Sequence, residues 1–210
     1  MRSEKLTRAW FAVTAVVALT GPVSQVVATA NDPGGRVANL LCFFTIDSNL
    51  LVAATSVLVA LGRHRGKFFA VLWLDALVGI IVTGIVYQVA LAGLYELHGL
   101  SLFSDTMLHR VTPILFVLGW LVAGPRGALT WRTVWWSLLY PLAWLAFTLP
   151  RGAITGFYPY PFLDAAALGY GRVTINCVVI GVFFTVLAIG ALLLDRRLSK
   201  KSLTISATTP

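Results

Sequence analysis

Runs of close to twenty apolar residues, divided by short polar or basic segments, recur along this 210-residue chain and limit it to one environment. A helix rises about 1.5 Å per residue, so roughly 20 residues cross the ~30 Å hydrocarbon core of a bilayer. The runs predict spans at 9–30, 38–61, 69–93, 105–124, 133–149 and 172–194. Most connections are short: Asn31 to Val37, Gly62 to Phe68, Leu94 to Ser104 and Pro125 to Arg132. The exception runs from Pro150 to Gly171. Residues 1–210 are therefore expected to form one all-α integral membrane bundle of six helices, with 195–210 as a cytoplasmic tail. Only 11% of residues are charged, where a soluble surface wants roughly a quarter. A water-soluble globule is excluded.

The net charge of +8 raises the possibility of a nucleic-acid partner, since basic patches neutralise phosphates. The placement of the charges argues against one. Arg2, Lys5 and Arg8 precede the first span, Arg63, Arg65 and Lys67 follow the second, Arg126 and Arg132 follow the fourth, and Arg196, Arg197, Lys200 and Lys201 follow the sixth. Twelve of sixteen basic residues thus fall on one side, leaving Arg36, Arg110, Arg151 and Arg172 on the other. The positive-inside rule puts both termini in the cytoplasm. A rival reading exists at the N-terminus, where Ala28-Thr29-Ala30 resembles a signal-peptide cleavage site. The 22 residues of Ala9 to Ala30 are long enough to span, and retaining them keeps the charge bias consistent.

Cys42 and Cys177 both fall inside spans, as small apolar residues do, and imply no disulfide framework. The three histidines are scattered, so no metal site is expected. Gly-rich phosphate loops, nucleophile elbows, zinc-protease motifs and internal repeats are absent from the sequence.

Polar side chains inside a span are costly and commonly mark function. Span two enters from outside with Thr45 about 10 Å below the boundary, Ser48 and Asn49 on the same face, and Asp47 nearly opposite. Span four enters with Asp105, His109, Arg110 and Thr112. Asp105 and His109 are at i, i+4, so the carboxylate can reach the imidazole and fix its tautomer. Span six enters with Arg172, Thr174 and Asn176. Three spans therefore gather polar groups in the outer half, whereas the inner half offers Asp75. Each residue also has a purely structural reading: interhelical hydrogen bonds for Thr45 and Asn49, snorkelling for Arg110 and Arg172, and pairing of Asp75 with Lys67 or Arg132. The aromatic segment from Pro150 to Gly171 reads either as an interfacial belt or as a lid stiffened by Pro159 and Pro161.

Taken together, Thr45 and His109 make a nucleophile and base at comparable depth, with Asp105 in the orienting role. Asn49, Asn176 or a backbone amide would stabilise an oxyanion.

Phe43-Phe44-Thr45 opening span two, His109 with Pro113-Ile114-Leu115-Phe116 a turn later, and Thr155-Gly156 followed by Tyr160-Pro161-Phe162-Leu163-Asp164 resemble the androgen-induced gene 1 family, in its bacterial branch. Span number and order agree over most of the chain. The resemblance implies a multipass threonine hydrolase of fatty acid esters of hydroxy fatty acids, with Thr45 as nucleophile, His109 as base and no cofactor. Asp105, Asn49, Arg110, Arg172, Asn176, Tyr160 and Asp164 are the expected supporting pocket. Arg110 directly after His109, and a proline displaced by one position, depart from the family's pattern.

Two other classes fit the same residues: a non-enzymatic lipid or small-molecule binder or transporter, and a purely structural bundle. The Ala/Val/Leu/Gly-rich, Lys-poor composition suggests a GC-rich bacterial source, and so the plasma membrane. The partners expected are the membrane and a lipid or fatty-acyl ester, and the sequence specifies no oligomeric state.

Overall fold

The computed structural model describes residues 2–207, and among them every regular element is helical. The order is α1 (Arg2–Ala30), α2 (Phe44–Ala60), α3 (Lys67–Val86), α4 (Gly99–Thr106), α5 (Thr112–Ala123), α6 (Trp131–Ser137), α7 (Leu139–Thr155) and α8 (Ala165–Ala207). Among the described residues, four stretches are long and apolar enough to cross a membrane: Glu4–Ala30, Lys67–Leu91, Gly99–Ala123 and Ala165–Lys200. Phe44–Ala60 is equally apolar but shorter, at 17 residues.

Two of the long stretches carry a π-helical turn near one end, at Tyr87–Leu91 and at Met107–Val111. A π turn inserts one extra residue per turn and rotates the side chains that follow it. His109 lies inside the second of these turns, so the irregularity sets where its ring points.

Interdigitating buried side chains pack the helices together. One end is packed by a nest of rings: Trp73 lies 5.5 Å from Phe11, 5.1 Å from Phe116 and 5.6 Å from Phe69, centroid to centroid. Gly79 brings α3 close to α2 and α7, because a Cβ there would stand 2.8 Å from Ser48 Oγ and 3.3 Å from the Tyr140 ring. Basic residues meet at the same end as the ring nest. Arg8 lies against Gly62, and Arg196 sits over the Trp131 ring at 5.9 Å.

Several boundaries differ from the sequence expectation: α4 already starts at Gly99, inside the expected connection Leu94 to Ser104, and α2 starts only at Phe44, after a 3-10 turn at Val37–Cys42. The predicted fifth span, 133–149, is two helices parted at Leu138. Pro141 accounts for the break, because it has no N–H for the Ser137 carbonyl and its ring crowds that group. Next, the connection predicted from Pro150 to Gly171 shrinks to 156–164: α7 runs through Pro150 to Thr155 and ends on left-handed Gly156 (φ 72°), and α8 starts at Ala165. Finally, the stretch predicted as a tail from 195 begins inside α8. Asp195 there is buried and accepts from the backbone N–H groups of Gly127 (3.0 Å) and Leu129 (3.3 Å), tying α8 to the loop before α6.

Candidate active site

Thr45 is the second residue of α2, and the first four N–H groups of a helix have no intrahelical partner. Ile46 and Asp47 turn back to the Phe43 carbonyl, but the Thr45 N–H reaches across the bundle to the Tyr160 hydroxyl at 3.3 Å. That same hydroxyl lies 3.2 Å from Thr45 Oγ, and Thr45 Oγ lies 3.4 Å from His109 Nε2. Thr45 and Tyr160 are both buried, at 6% and 7% exposed.

The partners of His109 settle which ring nitrogen carries the proton. Nδ1 is 3.0 Å from Asp105 Oδ1 and 3.1 Å from the Asp105 carbonyl oxygen. Both groups only accept, so Nδ1 must donate, which leaves Nε2 as the ring nitrogen able to accept from Thr45. The other carboxylate oxygen, Asp105 Oδ2, accepts from Tyr87 Oη at 2.7 Å and from Arg110 at 3.2 Å. Tyr87 also stacks on the imidazole, 3.9 Å between centroids and 14° from parallel, with the Arg110 guanidinium 5.4 Å from the tyrosine ring centre. The ring of His109 is thereby fixed in plane by Asp105 and in tilt by Tyr87.

The hydrogens then run in one direction. Thr45 N–H donates to Tyr160, Tyr160 O–H to Thr45 Oγ, Thr45 O–H to His109 Nε2, and His109 Nδ1–H to Asp105. Burial pushes the Tyr160 phenol up to about 12, so it keeps its proton and remains a donor.

The other sequence-predicted residues sort by location. Arg110 joins the site through Asp105. Asn49 supports it from below, spending both amide hydrogens on the carbonyls of Thr45 (2.8 Å) and Leu108 (3.3 Å), which leaves no donor for an oxyanion. Asn176 donates to the Phe162 carbonyl at 2.8 Å and so braces the segment that carries Tyr160. Asp164 caps α8 by accepting from the N–H groups of Ala166 and Ala167 at 3.0 and 3.1 Å. Arg172 is exposed on α8, away from the site. Asp75 meets neither Lys67 nor Arg132: it makes no ion pair among the described residues, and its Oδ1 is buried without a hydrogen-bond partner. Both cysteines are free thiols, and no three metal-ligating side chains converge among the described residues.

Tyr87 is the residue that counting intramembrane Thr, Asn, His and charged groups passes over. Its signal was a tyrosine six residues from the predicted end of span three, about 9 Å along the helix and close to the depth expected for Thr45.

Two chambers meet at Thr45. The larger, about 460 Å³, runs between α3, α7 and α8 and is walled by Val82, Leu142, Leu145, Phe162, Val182 and Phe184 among others. The smaller, about 260 Å³, is lined by Gln25, Tyr95, Ser101, Asp105, His109 and Pro159 among others. Thr45, Tyr87, Leu91 and Tyr160 border both. No family model, curated protein or solved structure matches this chain.

Proposed function

We propose that this chain is a membrane-embedded hydrolase of lipid carboxylic esters that uses Thr45 as nucleophile and His109 as general base. The observation that carries the reading is the Thr45–His109–Asp105 alignment, in which the acceptors around Nδ1 leave Nε2 able to accept from a buried hydroxyl. A threonine hydroxyl is a weak nucleophile until a base takes its proton, and a histidine held by a carboxylate is suited to that task.

The steps follow from the contacts. Thr45 Oγ attacks the ester carbonyl as its proton passes to His109 Nε2, and the Asp105 carboxylate steadies the imidazolium. The Thr45 N–H, at the positive end of α2, and the Tyr160 O–H bond only within the Thr45–Tyr160 pair; they exchange those contacts for the oxyanion as the hydroxyl attacks, whereas the Asn49 hydrogens stay on backbone carbonyls. The C–O bond to the alcohol then breaks, and the proton on Nε2 goes to the departing alkoxide. Water attacks the acyl-threonine, gives its proton to His109, and the cleaved Thr45 oxygen takes that proton back. No cofactor takes part.

The setting proposed is a bacterial plasma membrane crossed six times, with both termini in the cytoplasm. The short helix α2 is extended by the 3-10 turn Val37–Cys42, and α6 with α7 completes a further crossing. Twelve of the sixteen basic residues then face the cytoplasm and the Thr45 layer faces outward. Fatty acid esters of hydroxy fatty acids, the class implied by the resemblance to the androgen-induced gene 1 family, are the first substrates to test. Purified protein in detergent is expected to release fatty acid from them, and a folded Thr45→Ala variant to release none. Full turnover by that variant, or intact lipid copurifying without any cleavage, would overturn the assignment.

A further inference from the structure

We propose that the site sorts the two halves of its ester: the acyl chain lies in the apolar groove between α3, α7 and α8, entered sideways from the bilayer, and the alcohol lies in the smaller chamber that His109 borders. This inference rests on Thr45 and His109 acting as nucleophile and base. His109 and Asp105 border the smaller chamber and not the larger. The proton leaving Nε2 must reach the alkoxide oxygen, so the alcohol has to sit on the His109 side of Thr45. The acyl chain, on the other side of the carbonyl carbon, is left with the apolar groove.

The shape of each chamber agrees. The groove wall on α8 extends from Cys177 to Val186, about 14 Å at 1.5 Å per residue. That is room for about ten methylenes, given ~1.5 Å C–C bonds in a zigzag. Val178, Val182 and Val186 line the groove at successive turns of α8 and are themselves exposed, as is Leu142 across from them on α7. The groove is therefore open along its length to the lipid-facing side of the bundle, and a chain enters it without leaving the membrane. The second chamber is smaller, is walled by apolar Leu40, Ile46 and Leu108 as well as by Gln25, Ser101 and Asp105, and reaches exposed Tyr95. It admits a compact alcohol and, once that has left, the hydrolytic water. The substrate class inferred is a straight-chain acyl ester of a compact alcohol; esters of branched hydroxy fatty acids, whose alcohol half is bulkier, are then expected to be cleaved more slowly than esters of compact alcohols.

Gly181 allows a direct test, because it lines the groove and a Cβ built on it meets nothing within 4 Å. Gly181→Leu places bulk in the groove one turn beyond Cys177 and shortens the usable channel. Ser101→Trp does the same to the smaller chamber. Each variant is assayed with p-nitrophenyl esters from acetyl to palmitoyl, and with decanoyl esters of methanol, glycerol and a branched hydroxy fatty acid. The parent protein is expected to prefer acyl chains near ten carbons and compact alcohols. Gly181→Leu should move the decanoyl-to-acetyl ratio of kcat/KM about tenfold or more toward acetyl, and Ser101→Trp should move the glycerol-to-methanol ratio toward methanol. As a readout that does not depend on turnover, a decanoyl phosphonate with a photoreactive chain end, attached at Thr45, should crosslink to α7 or α8. Crosslinks to the Ser101 side, or variants that shift the opposite half of the substrate, would overturn the sorting while leaving the hydrolase reading intact. Cleavage of no ester at all would overturn both.

Discussion

Two buried carboxylates, Asp105 and Asp75, lie in the same apolar bundle in opposite circumstances. Asp105 receives hydrogens from His109, Tyr87 and Arg110. Asp75 faces no cation among the described residues and leaves one oxygen without a partner. Burial is costly for any carboxylate, and hydrogen bonds to its oxygens are what offset the cost. Asp105 is thus arranged to remain an anion beside an imidazole that becomes charged during a reaction, and Asp75 is not. What separates the two acids is the set of donors aimed at each, since both are buried.

The largest expected effect removes the chemistry itself. Thr45→Ala should lower ester turnover by at least about 10³-fold, read as fatty acid released by the folded protein. Asp105→Asn comes next, because an amide in place of the carboxylate can hold the wrong tautomer of His109. A fall in kcat of between about 10² and 10⁴-fold is expected, and an undiminished kcat would dissolve the contrast with Asp75. Tyr160→Phe removes one oxyanion donor and should cost about 10²-fold. Since the phenol is pushed up to about 12, it is protonated at every pH below that. The same loss is therefore expected across about pH 6 to 10, and a loss that vanished toward alkaline pH would show the phenolate rather than the phenol at work. Tyr87→Phe keeps the stacking on His109 and deletes one hydrogen bond to Asp105, so kcat should drop by about threefold to tenfold with KM unmoved. Asp75→Asn should be the mildest, with kcat within about twofold of the parent, since truncation there removes no partner of the site. A loss matching that of Asp105→Asn would break the comparison outright.

How much of this was legible in the sequence depended on which physical rule decided each feature. Apolar run length marked the helical stretches, and i, i+4 spacing brought Asp105 to His109, because both are properties of a single helix. Pro141 breaking a helix and Pro150 failing to break one were not legible, since neighbouring packing decides whether a proline is accommodated. Thr45 and His109 were paired by residue type, by comparable depth and by the family resemblance. The register that makes them meet depends on a π turn, for which no sequence rule exists. Asn49 and Asn176 looked like oxyanion donors by type and depth, yet they donate to backbone carbonyls, Asn49 to those of Thr45 and Leu108 and Asn176 to that of Phe162. Tyr160 was found through the Tyr-Pro-Phe-Leu-Asp element, but its bond to the Thr45 N–H depends on how a connection 115 residues away folds back over α2.

The central claim is that His109, oriented by Asp105, activates the Thr45 hydroxyl. It is tested most directly by treating the purified protein with a fluorophosphonate probe and locating the adduct by peptide mass spectrometry. The account predicts a single adduct on Thr45, with labelling reduced at least about tenfold in His109→Gln and in Asp105→Asn. An unlabelled Thr45, or labelling of Thr45 that is undiminished in His109→Gln, would contradict it.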